Sequence, residues 1–168
     1  LPKVLERAGR KSGAGAITGF YTVLVEGDDM NEPIADAVRG ILDGHVVLSR
    51  ALAGRGHYPA IDILQSVSRV MSDIVPTDKI SLAQEARKVL ADYTEAEDLI
   101  TIGAYKQGQN PKVDYAVAHI EDLRTFLVQK PTEGVDVENS DKLLKAVFSK
   151  QMQAAEIAAA LRRQETIL

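Results

Sequence analysis

Apolar residues recur along this chain with two different periods, and the change of period divides it. Leu1, Val4, Leu5 and Ala8 stand at the spacing of one helical face, and a Gly-rich turn follows at Gly9, Arg10, Lys11, Ser12 and Gly13. AITGFYTVLVEG (16–27) then carries Ile, Thr, Phe, Tyr and Val at both alternations and stops at Gly27 and Asp28. That pattern predicts a strand apolar on both faces, as found inside a parallel sheet covered by helices. DDMNEP (28–33) is an acidic loop, and IADAVRGIL supplies about two helical turns before Asp43 and Gly44 break them. HVVLSR (45–50) is a second short strand, and ALAGRG a short helix stopped by Gly54 and Gly56. GHYPAIDILQSVSRVM (56–71) reads as loop and short strand. Strand and helix in alternation are the pattern of an α/β layered core.

After Pro76 only the helical period remains. Residues 78–105 carry an apolar stripe at 82, 86, 89, 90, 93, 96 and 99 or 100, with Asp78 placed to cap its start. KQGQNP (106–111) is a turn, and 111–129 a helix with Pro111 in its first turn, where a missing N–H costs least. The stretch 132–139 is a loop, and a last helix runs from about Asp141. MQAAEIAAALRRQ is Ala-rich with a narrow stripe at Met152, Ile157 and Leu161. The expected class is therefore α/β then all-α, with residues 1–76 in the layered core, 77–150 in a module of about four helices, and 151–168 a helical tail of open role. Two or three strands bury a sheet poorly, and the opening LPKVLERAGRKS reads as mid-helix without an initiating Met. The expectation is a fragment whose core continues upstream of Leu1.

Composition narrows the chemistry. With 168 residues, 45% apolar and 26% charged, the chain has the balance of a folded globular protein. A net charge of −4, with Lys and Arg dispersed, gives no electrostatic reason to bind nucleic acid. The lack of Cys excludes disulfides, thiol nucleophiles and Cys-based zinc sites and fits a reducing cytosol. No apolar run approaches the roughly 20 residues of a membrane-spanning helix.

GRKSGAG (9–15) mimics a phosphate-binding loop, but such a loop needs Gly-x4-Gly-Lys-[Ser/Thr] directly after a strand, and this segment precedes one. Asp28, Asp29 and Glu32 form a carboxylate cluster able in principle to hold a divalent cation, although a solvated loop explains them as well. His45, His57 and His119 lack partners at metal-ligand spacing and read as structural, so no metal site is assigned. Tyr58 before Pro59 can pack in a turn, and Arg69 can be a surface residue. Together, a rigid aromatic and an obligate cation in one loop-and-strand segment are what a base-stacking and phosphate-contacting edge needs.

Residues 20–71 closely resemble the ATPases of type III protein export, most of all the flagellum-specific one, and more distantly the subunits of rotary ATP synthases. The strings GDDMNEP (27–33), DGHVVLSR (43–50), GHYPAID (56–62) and SVSR (66–69) carry the resemblance, which continues less distinctively to about residue 130. It implies the C-terminal part of a RecA-like nucleotide-binding core followed by a helical C-terminal domain, in a homo-hexameric ring that hydrolyses ATP with Mg²⁺. By this resemblance Tyr58 stacks on adenine, helped by Phe126 or Leu127, and Arg69 is the arginine finger reaching the neighbour's γ-phosphate. The phosphate and metal ligands would precede Leu1, so the chain alone should not hydrolyse ATP. The implied setting is the cytoplasm, peripheral to the export gate at the inner face of the membrane. The implied partners are a central stalk coiled coil and export chaperones and cargo, met by the helical domain at Tyr105–Pro111. Synthases carry an acidic loop at that place, and Lys106-Gln-Gly-Gln-Asn110 favours an export ATPase. An injectisome ATPase shares these strings, and a chaperone- or stalk-binding module without chemistry is the alternative for the isolated chain.

Overall fold

The computed structural model describes residues 2–10, 12–25, 27 and 32–149, so that Asp28, Asp29 and the tail from 151 lie outside the described residues. In chain order the elements are α1 (Pro2–Leu5), β1 (Gly9–Arg10), β2 (Ala16–Ile17), α2 (Pro33–Ile41), β3 (Gly44–Leu48), α3 (Arg50–Gly54), β4 (Ile61–Ser68), α4 (Met71–Ile74), α5 (Thr77–Thr101) and α6 (Pro111–Leu127). A further helix, α7, occupies 137–149.

The first quarter of the chain departs from the pattern reading. The helix expected over 1–8 is one turn, α1, and the strand expected over 16–27 contracts to β2, paired antiparallel with β1. Residues 18–25 have no regular structure, and Phe20 and Leu24 are more than nine-tenths exposed. Strand propensity is not self-sufficient: a strand satisfies its main chain and buries its faces only against neighbours. Among the described residues no strand lies against 18–25.

Strands β3 and β4 pair antiparallel. Their connection returns on itself instead of crossing over the sheet: Ser49 N–H donates to the Ala60 carbonyl at 2.8 Å, placing the start and end of the segment side by side. Within it the Ser49 hydroxyl caps α3 by accepting from Leu52 N–H at 3.3 Å.

Helices α5 and α6 form an antiparallel hairpin. On α5 the expected stripe is the buried face, with Ala86, Val89 and Ala96 inside and Leu82, Leu90 and Tyr93 partly so. It meets Ala116, Ile120 and Leu123 of α6 and Val147 and Phe148 of α7. Small Ala side chains let the helix axes approach, and each large residue buried there contributes roughly 1.5–3 kcal/mol of transfer free energy. His119 is buried in this core, its Nδ1 2.8 Å from the Tyr115 carbonyl and its ring packed on Tyr115 and Phe148. It is structural, as its spacing suggests.

Ends of these helices follow local chemistry, with two corrections. Asp78 does not cap α5: the N-cap is Pro76, without a side-chain hydrogen bond, and Asp78 lies in the first turn 3.5 Å from Lys145 of α7. The last helix starts at 137 instead of about Asp141, because the Asp136 carboxylate accepts from Asn139 N–H at 2.7 Å, one helical turn earlier. Helix α5 stops in a Schellman pattern: Gly103, at φ +70°, donates to the Ile100 carbonyl and Ala104 to that of Leu99. Asn110 caps α6 by accepting from Lys112 N–H at 3.0 Å, and Pro111 opens it. Between them Asp114 ties the turn, accepting from the Tyr105 hydroxyl at 2.8 Å and from Gly108 N–H at 2.9 Å.

Two groups here make alkaline stability predictable. Burial, reinforced by the nearby Glu85 carboxylate, pushes the Tyr115 hydroxyl up to about 12. Lys79 is also raised, chiefly by its hydrogen bond to Asp141. In both, folding favours the protonated form, so the folded state holds more protons than the unfolded one above about pH 10. The unfolding free energy from urea titrations should be insensitive to these groups below that pH and fall as pH rises towards 12. Tyr115→Phe should make the fall shallower.

Candidate functional site

The region between Tyr58 and Arg69 is organised by a fault in the β3–β4 ladder. Gly44 faces Ser68 and His45 faces Val67, but Val47 faces Asp62, so two residue steps on β3 are matched by five on β4. The surplus at 63–66 bulges out of register, and its main-chain groups need other partners. Side chains supply them. The Asp62 carboxylate accepts from Leu64 N–H and Gln65 N–H, each at 3.0 Å. The Ser66 hydroxyl donates to the Asp62 carbonyl at 2.5 Å and accepts from Val47 N–H at 3.0 Å, standing in for the lost ladder bond. His45 Nε2 lies 3.1 Å from the Gln65 carbonyl. From α5, Arg87 donates through Nη1 to the carbonyls of Ile63 and Ser66, the latter at 3.1 Å, and through Nη2 to Leu64 at 3.0 Å.

Arg69 leaves the end of β4 as an exposed residue. Its N–H donates to the Asp43 carbonyl at 2.8 Å. Its guanidinium turns to the C-terminus of α2, where Nη2 donates to the Arg39 carbonyl at 2.8 Å and Nη1 reaches that of Gly40 at 3.4 Å. Those carbonyls belong to the last turn of α2, unpaired within the helix and at the negative end of its dipole, a natural seat for a cation. A guanidinium has five N–H donors, so this seat leaves others free to face outward.

At the other end Tyr58 is 55% exposed. Its carbonyl accepts from Gln129 N–H, just past α6, at 2.8 Å. The chain beside it opens onto a cleft of about 410 Å³ lined by Leu52, Arg55, His57, Glu97, Arg124 and Val128. Glu97 bridges Arg55 at 3.5 Å and Arg124 at 3.2 Å, and Arg124 lies over the Tyr93 ring. Phe126 and Leu127 are partly buried against the helical core. The main chain just after α6 is joined to Tyr58 through Gln129.

Sequence reasoning missed Asp62, Ser66 and Arg87, whose roles follow from a register no local pattern reveals. One signal existed: Arg87 places a cation in line with Ile80 and Ala83 on α5, where a solvated helix face would have no apolar neighbours. Among the described residues no group of three His, Asp or Glu side chains could hold a metal ion.

Residues 1–68 match the model of the ATP synthase alpha/beta family, nucleotide-binding domain, and residues 75–146 that of the type III secretion system EscN ATPase C-terminal domain. The fold is thus a nucleotide-binding portion of the ATP synthase class followed by a helical domain. The flagellum-specific ATP synthase of Treponema pallidum is 56% identical over 80% of this chain and 30% of its own length. The type 3 secretion system ATPase of Sinorhizobium fredii is 55% identical over 83% and 31%. The structure of the assembled ATPase EscN from the type III secretion system of enteropathogenic E. coli superposes with a TM-score of 0.82 at 44% identity, over 87% of this chain and 35% of that one. A structure of the same ATPase in complex with its central stalk EscO gives 0.77 at 42%, over 87% and 34%. The first part of this chain thus matches the ATP synthase alpha/beta nucleotide-binding family and its second the EscN-type C-terminal domain. The chain, similar to type III export ATPases, spans about a third of the length of the curated relatives it matches.

Gly44 decides where Arg69 emerges, since a Cβ at this position would lie 2.6 Å from the Val67 carbonyl oxygen. Gly44→Ala must push the strands apart at the Gly44–Ser68 pair. The expected result is a loss of about 1–3 kcal/mol, read as a lower urea midpoint with an unchanged denaturant slope.

Proposed function

We propose that this chain is the C-terminal portion of an export ATPase that hydrolyses ATP in a hexameric ring to drive protein export, with Arg69 acting across the subunit interface. The single observation that carries the reading is the seat of that guanidinium: exposed, fixed by two carbonyls at the end of α2, and with donors to spare. A side chain held this way meets a neighbour's phosphoryl oxygens without first losing its rotamer freedom. ATP supplies the γ-phosphoryl group whose charge the finger stabilises. Tyr58, exposed at the opposite end of the same segment, takes the adenine face of its own subunit's nucleotide, and Phe126, partly exposed near the end of α6, is the second candidate for that pocket. The phosphate loop and the Mg²⁺ ligands belong, in this reading, to the portion of the enzyme outside this chain.

The flagellar export ATPase is the first form of the proposal and the injectisome ATPase the second; relatives of both kinds match about equally well. For the isolated chain the turn at Tyr105–Pro111 is the proposed contact with a central stalk, chaperones or cargo. Its supports are the stiff Tyr105–Asp114 bracing and the stalk complex of the related EscN. No helix among the described residues is long and apolar enough to cross a membrane, and the proposed place is the cytoplasmic face, peripheral to the export gate.

In the full-length enzyme, Arg69→Ala should lower kcat by on the order of 10³-fold or more while nucleotide affinity changes only a few-fold. Arg69→Lys should restore little, because an ammonium cannot bridge two helix carbonyls and still present a planar fork to phosphate. Steady-state hydrolysis with a separate nucleotide-binding titration measures both, and wild-type turnover in Arg69→Ala removes the reading.

A further inference from the structure

We propose that Arg87 is a positioning residue for Arg69, through which the helical domain sets the finger's reach. The inference rests on the finger reading above. Arg87 stands on α5 but spends its guanidinium on β4, with Nη1 bonded to Ile63 and Ser66 and Nη2 to Leu64. These carbonyls lie in the bulge, where the ladder with β3 is out of register, so α5 stands in for a strand neighbour there. Only Val67 and Ser68 separate the clamped Ser66 from Arg69. Val67 and Ser68 are themselves paired with His45 and Gly44, so a displacement of Arg87 along β4 reaches the base of the finger through a short stretch of hydrogen-bonded strand.

The joint has the shape this role needs. Beyond the clamp, the exit of β4 is separated from α5 by a cleft of about 240 Å³ lined by Ser68, Met71, Ser72, Ile80, Ala83 and Arg87. Across that cleft the guanidinium of Arg87 is a hydrogen-bonded link between α5 and the strand, beside the packing of α4 on α5. Arg69 is fixed at its tip by α2 and at its main-chain N–H by Asp43, while the strand just before it is held from α5 by Arg87. Shifting that strand against α2 changes the direction in which the unused donors of Arg69 point. A misplacement of about 1 Å is enough to lower a rate by on the order of 10²-fold. Arg87 touches no substrate in this scheme.

The full-length enzyme tests this with Arg87→Gln and Arg87→Lys, each alone and combined with Arg69→Ala, in single-turnover hydrolysis. The expectation is a kcat loss of about 10- to 100-fold in Arg87→Gln with KM for ATP within about threefold, and partial recovery in Arg87→Lys. In the Arg69→Ala background the same substitution should cost less than about threefold, because its effect passes through the finger. Equal losses in both backgrounds, or parental kcat in a folded Arg87→Gln enzyme, overturn the proposal while leaving the finger intact. Should Arg87→Gln not fold, Arg87→Lys with amide hydrogen exchange decides: faster exchange across 63–68 together with reduced kcat supports the clamp, and faster exchange with parental kcat refutes it. Parental turnover in Arg69→Ala is the distinct outcome that removes the finger reading and this inference with it.

Discussion

Three carbonyls on a strand that has slipped out of register, those of Ile63, Leu64 and Ser66, are the constraint around which the two parts of this chain are arranged. Buried or half-buried main-chain oxygens demand donors, and the ladder with β3 cannot provide them where five residue steps face two. Their donor comes from α5. The requirement is met by a guanidinium because only its planar fork reaches three acceptors at different heights along a strand. The same bulge draws in Asp62, Ser66 and His45, so that side-chain hydrogen bonds add to the partial burial of Ile61, Ile63 and Leu64 in holding the segment.

That arrangement explains why an aromatic and a cation can be placed at the two ends of one short segment. Before the bulge, the return from α3 and the bond from Gln129 leave the Tyr58 ring outside any core. After it, the close approach of Gly44 to Val67 brings the chain out beside the last turn of α2, and Arg69 finds its seat there. These contacts show how the two residues are held.

Pro33 at the start of α2, Ser49 capping α3 and Gly103 stopping α5 fall inside the loop, strand and helix that the sequence pattern predicts, so these boundaries were missed, whereas Pro111 starting α6 was legible because its effect is local. The apolar stripe of α5 was legible for the same reason. Strand 16–27 was overread, because the pattern of its side chains says nothing about whether neighbours are present to pair with it. The antiparallel sense of β3 and β4, their bulge and the function of Arg87 depend on residues more than a dozen positions apart. Tyr58 and Arg69 stood out by residue type within one segment, and the family strings gave them their separate roles, whereas periodicity alone gave no reason to prefer them to other exposed residues. Asp78 failed as a cap because Pro76 already occupies the position where a side-chain acceptor would act.

The bracing of the α5–α6 turn separates shape from identity at the tip of the hairpin. Its fold is secured by Gly103, Tyr105, Asn110 and Asp114, whose bonds close within the turn. Lys106 and Gln107 project from it as exposed residues. The side chains at the tip can therefore be exchanged without loosening the knuckle that carries them, because none of the bonds that set its shape passes through the side chain of Lys106 or Gln107.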